Sequence, residues 1–152
     1  MTDAYRDKLD IIELFNRYAA AMDEKNWDAL SALYIPDATA EQPIGAPVLK
    51  GRKAIVGMIG AAIDWLGPTH HMLGNYIVSV DGDRAEGSCY VRGHHAGARE
   101  HAGKWQETLG KLSAKLVRTP EGWRFAAFFE EITVSLGTSE IFNPALMPGG
   151  GQ

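Results

Sequence analysis

The stretch THHMLGNYIVSVDGDRAEGSCYVRGHHAGA, residues 69–98, decides the fold. Residues 69–80 alternate loosely between apolar and polar positions and read as a strand. Asp81-Gly82-Asp83 is a strong hairpin signal, and residues 84–98 read as the returning strand. Residues 104–118 are a further strand, reached through a polar loop around Glu100 to Gly103. Thr119-Pro120-Glu121-Gly122 is another tight turn, and residues 123–135 form a last strand rich in Phe.

Upstream of this run the spacing changes to that of helices. Residues 3–23 predict a helix that Thr2 or Asp3 can cap. At about 100° per residue, Tyr18, Ile11, Met22, Phe15, Ala19, Ile12 and Asp23 fall on one arc, with Tyr18 and Asp23 at its margins. Asn26 to Tyr34 predicts a short second helix with Trp27, Leu30 and Leu33 facing inward. Residues 37–42 suggest a strand ended by Pro43, and Val48-Leu49-Lys50 a short strand before Gly51. Residues 52–66 predict a third helix, with Ile55, Met58, Ile59, Ala62 and Leu66 at helical spacing, stopped by Gly67-Pro68. Helices first and hairpin-linked strands after them mean α+β, with helices on one face of a curved antiparallel sheet. No repeat or linker interrupts the chain, so residues 1–137 are expected to form a single domain. Residues 138–152 form a C-terminal tail with a frayed tip. Its Ile141, Phe142, Leu146 and Met147 are apolar enough to bury against the chain's own pocket mouth or a neighbour.

The sequence of 152 residues is one domain's worth, with 45% apolar and 22% charged residues. A formal charge of -4 and the lack of a basic stripe argue against a nucleic-acid partner. No stretch is long and apolar enough to span a membrane. Cys89 stands alone, so no internal disulfide can form, and a cytoplasmic location is expected.

The chain resembles the nuclear transport factor 2-like superfamily and, within it, the SnoaL-like group. The resemblance covers roughly residues 5–137. It rests on Tyr18 through Asp23 followed by Trp27-x-x-Leu30, Gly51-Arg52 opening a helix, His71-x-x-x-Asn75, Asp81-Gly82-Asp83-x-Ala85, and Gly122-Trp123-Arg124-Phe125. It implies a cone-shaped α+β barrel, with three N-terminal helices on a strongly curved, mainly antiparallel sheet and a deep pocket between them. The chain is most similar to scytalone dehydratase, bile-acid 7α-dehydratase and hexachlorocyclohexane dehydrochlorinase. There a helix-end Asp pairs with a His on the next long strand, and the His takes a proton from carbon. Asp23 and His71 match those positions, and Tyr18 matches a Tyr that recurs about one turn before the Asp. His94 or His95 falls near a second catalytic His. One departure is plain: relatives carry an Arg on the last strand that helps the leaving group, and Ala126 to Glu131 holds none. The dehydratase-like relatives are mostly trimers, so a homo-oligomer is expected, a trimer ahead of a dimer.

These residues suit one chemistry. An imidazole works as a base near neutral pH, and a carboxylate partner fixes its tautomer and steadies the imidazolium. Elimination also needs a donor for the leaving oxygen, for which Tyr18, Tyr34, His94 and His95 are candidates. Tyr34, Phe15, Met22, Trp65 and Phe128 are expected to contact a small hydrophobic substrate. The expected activity is that of a lyase, dehydratase or isomerase on an oxygenated ring compound such as a polyketide, steroid or aromatic catabolite. It would need no metal and no organic cofactor. His70, His71, His94, His95 and His101 invite a metal reading, but adjacent strand residues splay apart, and no His-x-His or Glu-x-x-His spacing occurs. Two alternatives stand. One is a polyketide-cyclase-like enzyme closing a ring by an aldol step. The other is a non-catalytic binder or structural subunit, like the small subunit of ring-hydroxylating dioxygenases.

Overall fold

The computed structural model describes residues 4–41 and 47–146. Expectations for Thr2, Asp3, Pro43, Met147 and the glycine-rich tip lie outside these residues.

Helix α1 runs over Ala4–Asp23 and buries Ile11, Leu14, Phe15, Tyr18, Ala19, Ala21 and Met22, which keeps most of the arc read from the sequence, adds Leu14 and Ala21, and leaves Ile12 and Asp23 half-buried. Ile11 and Phe15 are wholly enclosed, each burial worth roughly 1.5–3 kcal/mol. The same face carries a buried carboxylate, Asp7. Its two oxygens accept from the Arg118 guanidinium at 2.7 and 2.9 Å, and Trp123 Nε1 donates at 3.1 Å. The Arg118 hydrogen bonds hold the Asp7 carboxyl below its ordinary range, so the charge is paired as burial requires.

Helix α2, Trp27–Ala32, is capped by Asn26, whose side chain accepts from the Ala29 N–H at 3.0 Å. It ends earlier than expected, because Tyr34 already opens strand β1, Tyr34–Glu41. Leu33 makes the change: its N–H closes the last helical turn on Leu30, while its carbonyl accepts from the Phe125 N–H in the sheet. Strand β2 is only Leu49–Lys50, and helix α3, Arg52–Ile63, stops short of Leu66. Asp64 caps it by donating to the Gly60 carbonyl, and Leu66 is buried from the turn that follows.

Strands β3 (Thr69–Asp81), β4 (Arg84–Ala96), β5 (Trp105–Thr119) and β6 (Gly122–Gly137) form an antiparallel meander. Gly82, at φ 58°, makes the tight turn between β3 and β4. The order across the sheet is β2-β1-β6-β5-β4-β3, with β1 parallel to β6. The architecture is therefore α+β, three helices on a curved, mainly antiparallel sheet. The sheet is open, with β2 and β3 at its edges.

Two irregularities decide which side chains enter the core. The β5–β6 register shifts between Lys115 and Leu116, leaving Ala126 as an extra residue on β6. Trp123 and Phe125 face inward before it and Phe128 after it. On β3 a second shift lies between Gly74 and Ile77, with Asn75 at φ 54°. Thr69 and His71 point inward before it, and Ile77 is exposed after it.

Candidate active site

Asp23 is the last residue of α1, where the chain turns away through Lys25 at φ 52°. The Lys25 ammonium donates to the Leu66 carbonyl at 2.8 Å, tying this turn to the segment that leads into β3. The Asp23 carboxylate is thereby set against the start of that edge strand. An edge strand leaves alternate N–H groups without a ladder partner, and Asp23 takes one of them: the His71 N–H donates to Oδ2 at 2.9 Å. The Thr69 hydroxyl donates to Oδ1 at 2.8 Å, and His71 Nδ1 lies 2.7 Å from the same oxygen. Burial works against the Asp23 charge, but the hydrogen bonds from His71 and Thr69 outweigh it and lower its pKa. A carboxylate only accepts, so Nδ1 carries a proton, and in a neutral ring the lone pair is then on Nε2. The His71 side chain is 6% exposed.

Directly across from His71 on β4 stands Gly93. A Cβ there would lie 3.0 Å from His95 Cε1 and 3.2 Å from His71 Nε2, so the absent side chain makes room for both rings. His95 is the diagonal cross-strand neighbour. It meets His71 edge-to-face, with centroids 5.2 Å apart. Burial, followed by the nearby His71, pushes His95 down to about 4, so it is a neutral imidazole at neutral pH. Its buried Nδ1 has no hydrogen-bond partner among the described residues.

A cavity of about 300 Å³ opens among α1, β1, α3, β6 and the C-terminal tail. Its wall includes Tyr18, Tyr34, Ile55, Phe128, Glu130 and Phe142. Asp23, His71 and His95 do not form its wall. Phe142, which does form it, packs on His95 at 5.6 Å. Tyr18 and Tyr34 pack on Phe125 and Phe128. Burial pushes both phenols well above their ordinary value, so they remain protonated donors. The buried Tyr34 hydroxyl has no partner among the described residues. The tail closes one side: Ile141 is fully buried, and Phe142, Asn143 and Leu146 stand on the cavity wall.

The expected site residues separate into groups. Asp23, His71 and His95 are together, with Tyr18, Tyr34 and Phe128 on the adjoining wall. His94 points the other way: strand alternation puts it on the outer face, where Nδ1 meets Glu107 at 3.2 Å and the ring stacks on Trp105. Trp65 lies away from the cavity wall under the Arg99 guanidinium, 4.6 Å from the ring centroid. Phe15 and Met22 belong to the packed core and do not reach the wall. Residues 69–71 and 93–95 do not gather into a metal cage, and no group of three His, Cys, Asp or Glu side chains converges among the described residues. No described helix is long and apolar enough to cross a membrane.

Glu130, like Glu41, is an acidic wall residue that sequence reasoning missed. Burial raises its pKa. Its neighbour Glu131 is exposed on the outer face. The acidic pair was visible in the sequence, but which member turns inward depends on the extra residue at Ala126.

Known proteins resemble this chain in sequence and in fold. An uncharacterized protein of Mycobacterium tuberculosis is 32% identical over 130 residues, 78% of this chain and 80% of that protein. A 45-residue stretch, 30% of this chain and 37% of the relative, is 47% identical to a steroid Delta-isomerase of Nocardioides simplex. Among solved structures, a candidate scytalone dehydratase from Novosphingobium aromaticivorans superposes with a TM-score of 0.79 at 20% identity, over 97% of this chain and 99% of that one. A hexachlorocyclohexane dehydrochlorinase gives 0.78 at 16% identity, covering 97% of each chain. At these identities the two structures share the fold. Residues 3–128 match the model of the SnoaL-like domain, and the chain belongs to that family.

Proposed function

We propose that this protein is a cofactor-independent lyase or isomerase that removes a proton from a carbon of a hydrophobic, oxygenated ring compound. The observation that carries the reading is the doubly held His71, with its backbone N–H on Asp23 Oδ2 at 2.9 Å and Nδ1 2.7 Å from Asp23 Oδ1. The base Nε2 takes the C–H proton. Asp23 steadies the imidazolium that forms, much as a buried carboxylate does for other catalytic histidines. Negative charge growing on a substrate oxygen meets the protonated Tyr18 and Tyr34 hydroxyls in a largely apolar cavity, where fixed donors act strongly. The names of the similar proteins, an isomerase, a dehydratase and a dehydrochlorinase, describe three outcomes of this one proton removal. Assembly into a homo-oligomer belongs to the same reading.

The test uses a β-hydroxy tetralone, an unconjugated ketosteroid and hexachlorocyclohexane as probes in heavy water. Mass spectrometry follows deuterium entering at the acidic carbon, together with product formation. The wild-type chain is expected to act on at least one probe, and His71→Ala to lose at least about 100-fold in rate while still folding. Equal rates in the two proteins would remove His71 from the mechanism.

A further inference from the structure

The cavity wall holds a carboxyl group that has no structural reason to be there. Glu130 follows Phe128 on the inward face of β6, and its position is set by the extra residue at Ala126. Among the described residues, no hydrogen bond donor or cation pairs with it. The groups that act on it or share its wall are Tyr18 from α1, Tyr34 and Glu41 from β1, and His71 from β3. Among the described residues, no Lys, Arg or His stands on this wall, and His71 acts on Glu130 from outside it. Burial raises the pKa of this half-buried carboxyl and so favours its protonated form, and a leucine of similar length would pack at lower cost.

We propose that Glu130 is the proton donor to the departing oxygen, acting opposite the His71 base, and that the substrate is a β-hydroxy carbonyl compound that leaves as an enone and water. This rests on His71 being the base. The competing donors are weaker acids. Tyr18 and Tyr34 hold their protons more tightly than free phenols, and His95 is a neutral imidazole whose N–H is a very poor acid. The step balances. Nε2 of His71 takes the proton beside the carbonyl, and the C–H electron pair becomes the new C=C bond. The C–O bond breaks, and its electrons leave on oxygen, which takes the Glu130 proton and departs as water. Positive charge arriving on His71 lowers the Glu130 pKa, so the donor becomes more acidic at the stage when the leaving oxygen needs its proton. Proton transfer from imidazolium to carboxylate, relayed by water, restores both groups.

The experiment compares wild type, Glu130→Gln and His71→Ala on a β-hydroxy tetralone and the matching β-acetoxy tetralone. Acetate is a good leaving group and needs no proton. Glu130→Gln is expected to slow water loss at least about 100-fold while leaving acetate loss within about threefold of wild type. His71→Ala is expected to slow both. Glu130→Gln with unchanged water loss, or with both leaving groups slowed alike, overturns the donor role. A His71→Ala protein as active as wild type overturns the base instead. A wild-type chain that acts on neither tetralone overturns the substrate class. Infrared spectroscopy reads the carboxyl without turnover: the carbonyl stretch of a protonated acid is expected near neutral pH in wild type and absent in Glu130→Gln, and a wild-type spectrum lacking it overturns the proposal.

Discussion

Asp23 holds His71 by two handles at once: Oδ2 accepts the backbone N–H at 2.9 Å, and Oδ1 lies 2.7 Å from Nδ1 of the ring. The backbone contact places the strand against the helix end, and the ring contact selects the tautomer. One carboxylate therefore performs a folding task and a chemical one.

Asp23→Asn separates the two tasks. An amide oxygen can still accept from the backbone, but it leaves the imidazolium without its counter-charge. Turnover is expected to fall at least about 100-fold, with a smaller fall in thermal stability. Thr69→Val removes only the 2.8 Å hydroxyl contact and should cost about tenfold or less. Steady-state kinetics and melting curves of both variants check the order; Thr69→Val matching Asp23→Asn would contradict it.

Gly93→Ala probes the space under the rings. The new methyl would lie 3.0 Å from His95 Cε1 and 3.1 Å from His71 Cδ2. Because Asp23 holds His71 in place, the ring cannot retreat freely. We expect kcat to fall about tenfold, since small misplacements of a catalytic group are costly. Imidazole nitrogen resonances should shift in both His71 and His95; unchanged spectra would show that the space is not tight.

His95 makes stability depend on pH. The unfolded chain takes up this proton near the ordinary value of 6.5 and the folded chain near about 4. Between these values the unfolded state binds more protons, so stability falls as the pH is lowered. Between pH 7 and 4.5 the loss from this group is about 2 kcal/mol. Asp23 has a lowered pKa and stays ionised across that window, its own contribution fading only as the pH drops below the ordinary carboxylate range. Denaturant titrations of wild type and His95→Gln at the two pH values read the difference, and parallel losses in both would place the proton elsewhere.

Tyr34→Phe deletes a buried hydroxyl that has no partner among the described residues. Removing an unsatisfied group is expected to leave stability unchanged or raise it by up to about 1 kcal/mol. If the hydroxyl waits for a substrate oxygen, KM should rise. A clear loss of stability in this variant would mean that the hydroxyl supports the fold.

The buried stripe on α1, the Asp81-Gly82-Asp83 turn and the meander after it were legible in the sequence, because helix and strand periods are local properties of the chain. The Asp23–His71 pair was legible only as a resemblance. Their 46-residue-distant neighbour contact between Asp23 and Thr69 has no local signature. The end of α2 was misplaced because Tyr34 is wholly enclosed from a strand, and an apolar residue at helical spacing looks the same from either element.

Local spacing thus determined which elements form, their order, and the inward face of the first helix. Tertiary structure alone decided that His95 rather than His94 stands beside His71, and that Glu130 rather than Glu131 meets the cavity. Side chains alternate with a period of two along a strand, so one inserted residue reverses every facing beyond it. Such an insertion, like the one at Ala126, exists only in the pairing between strands and is not written in either strand by itself.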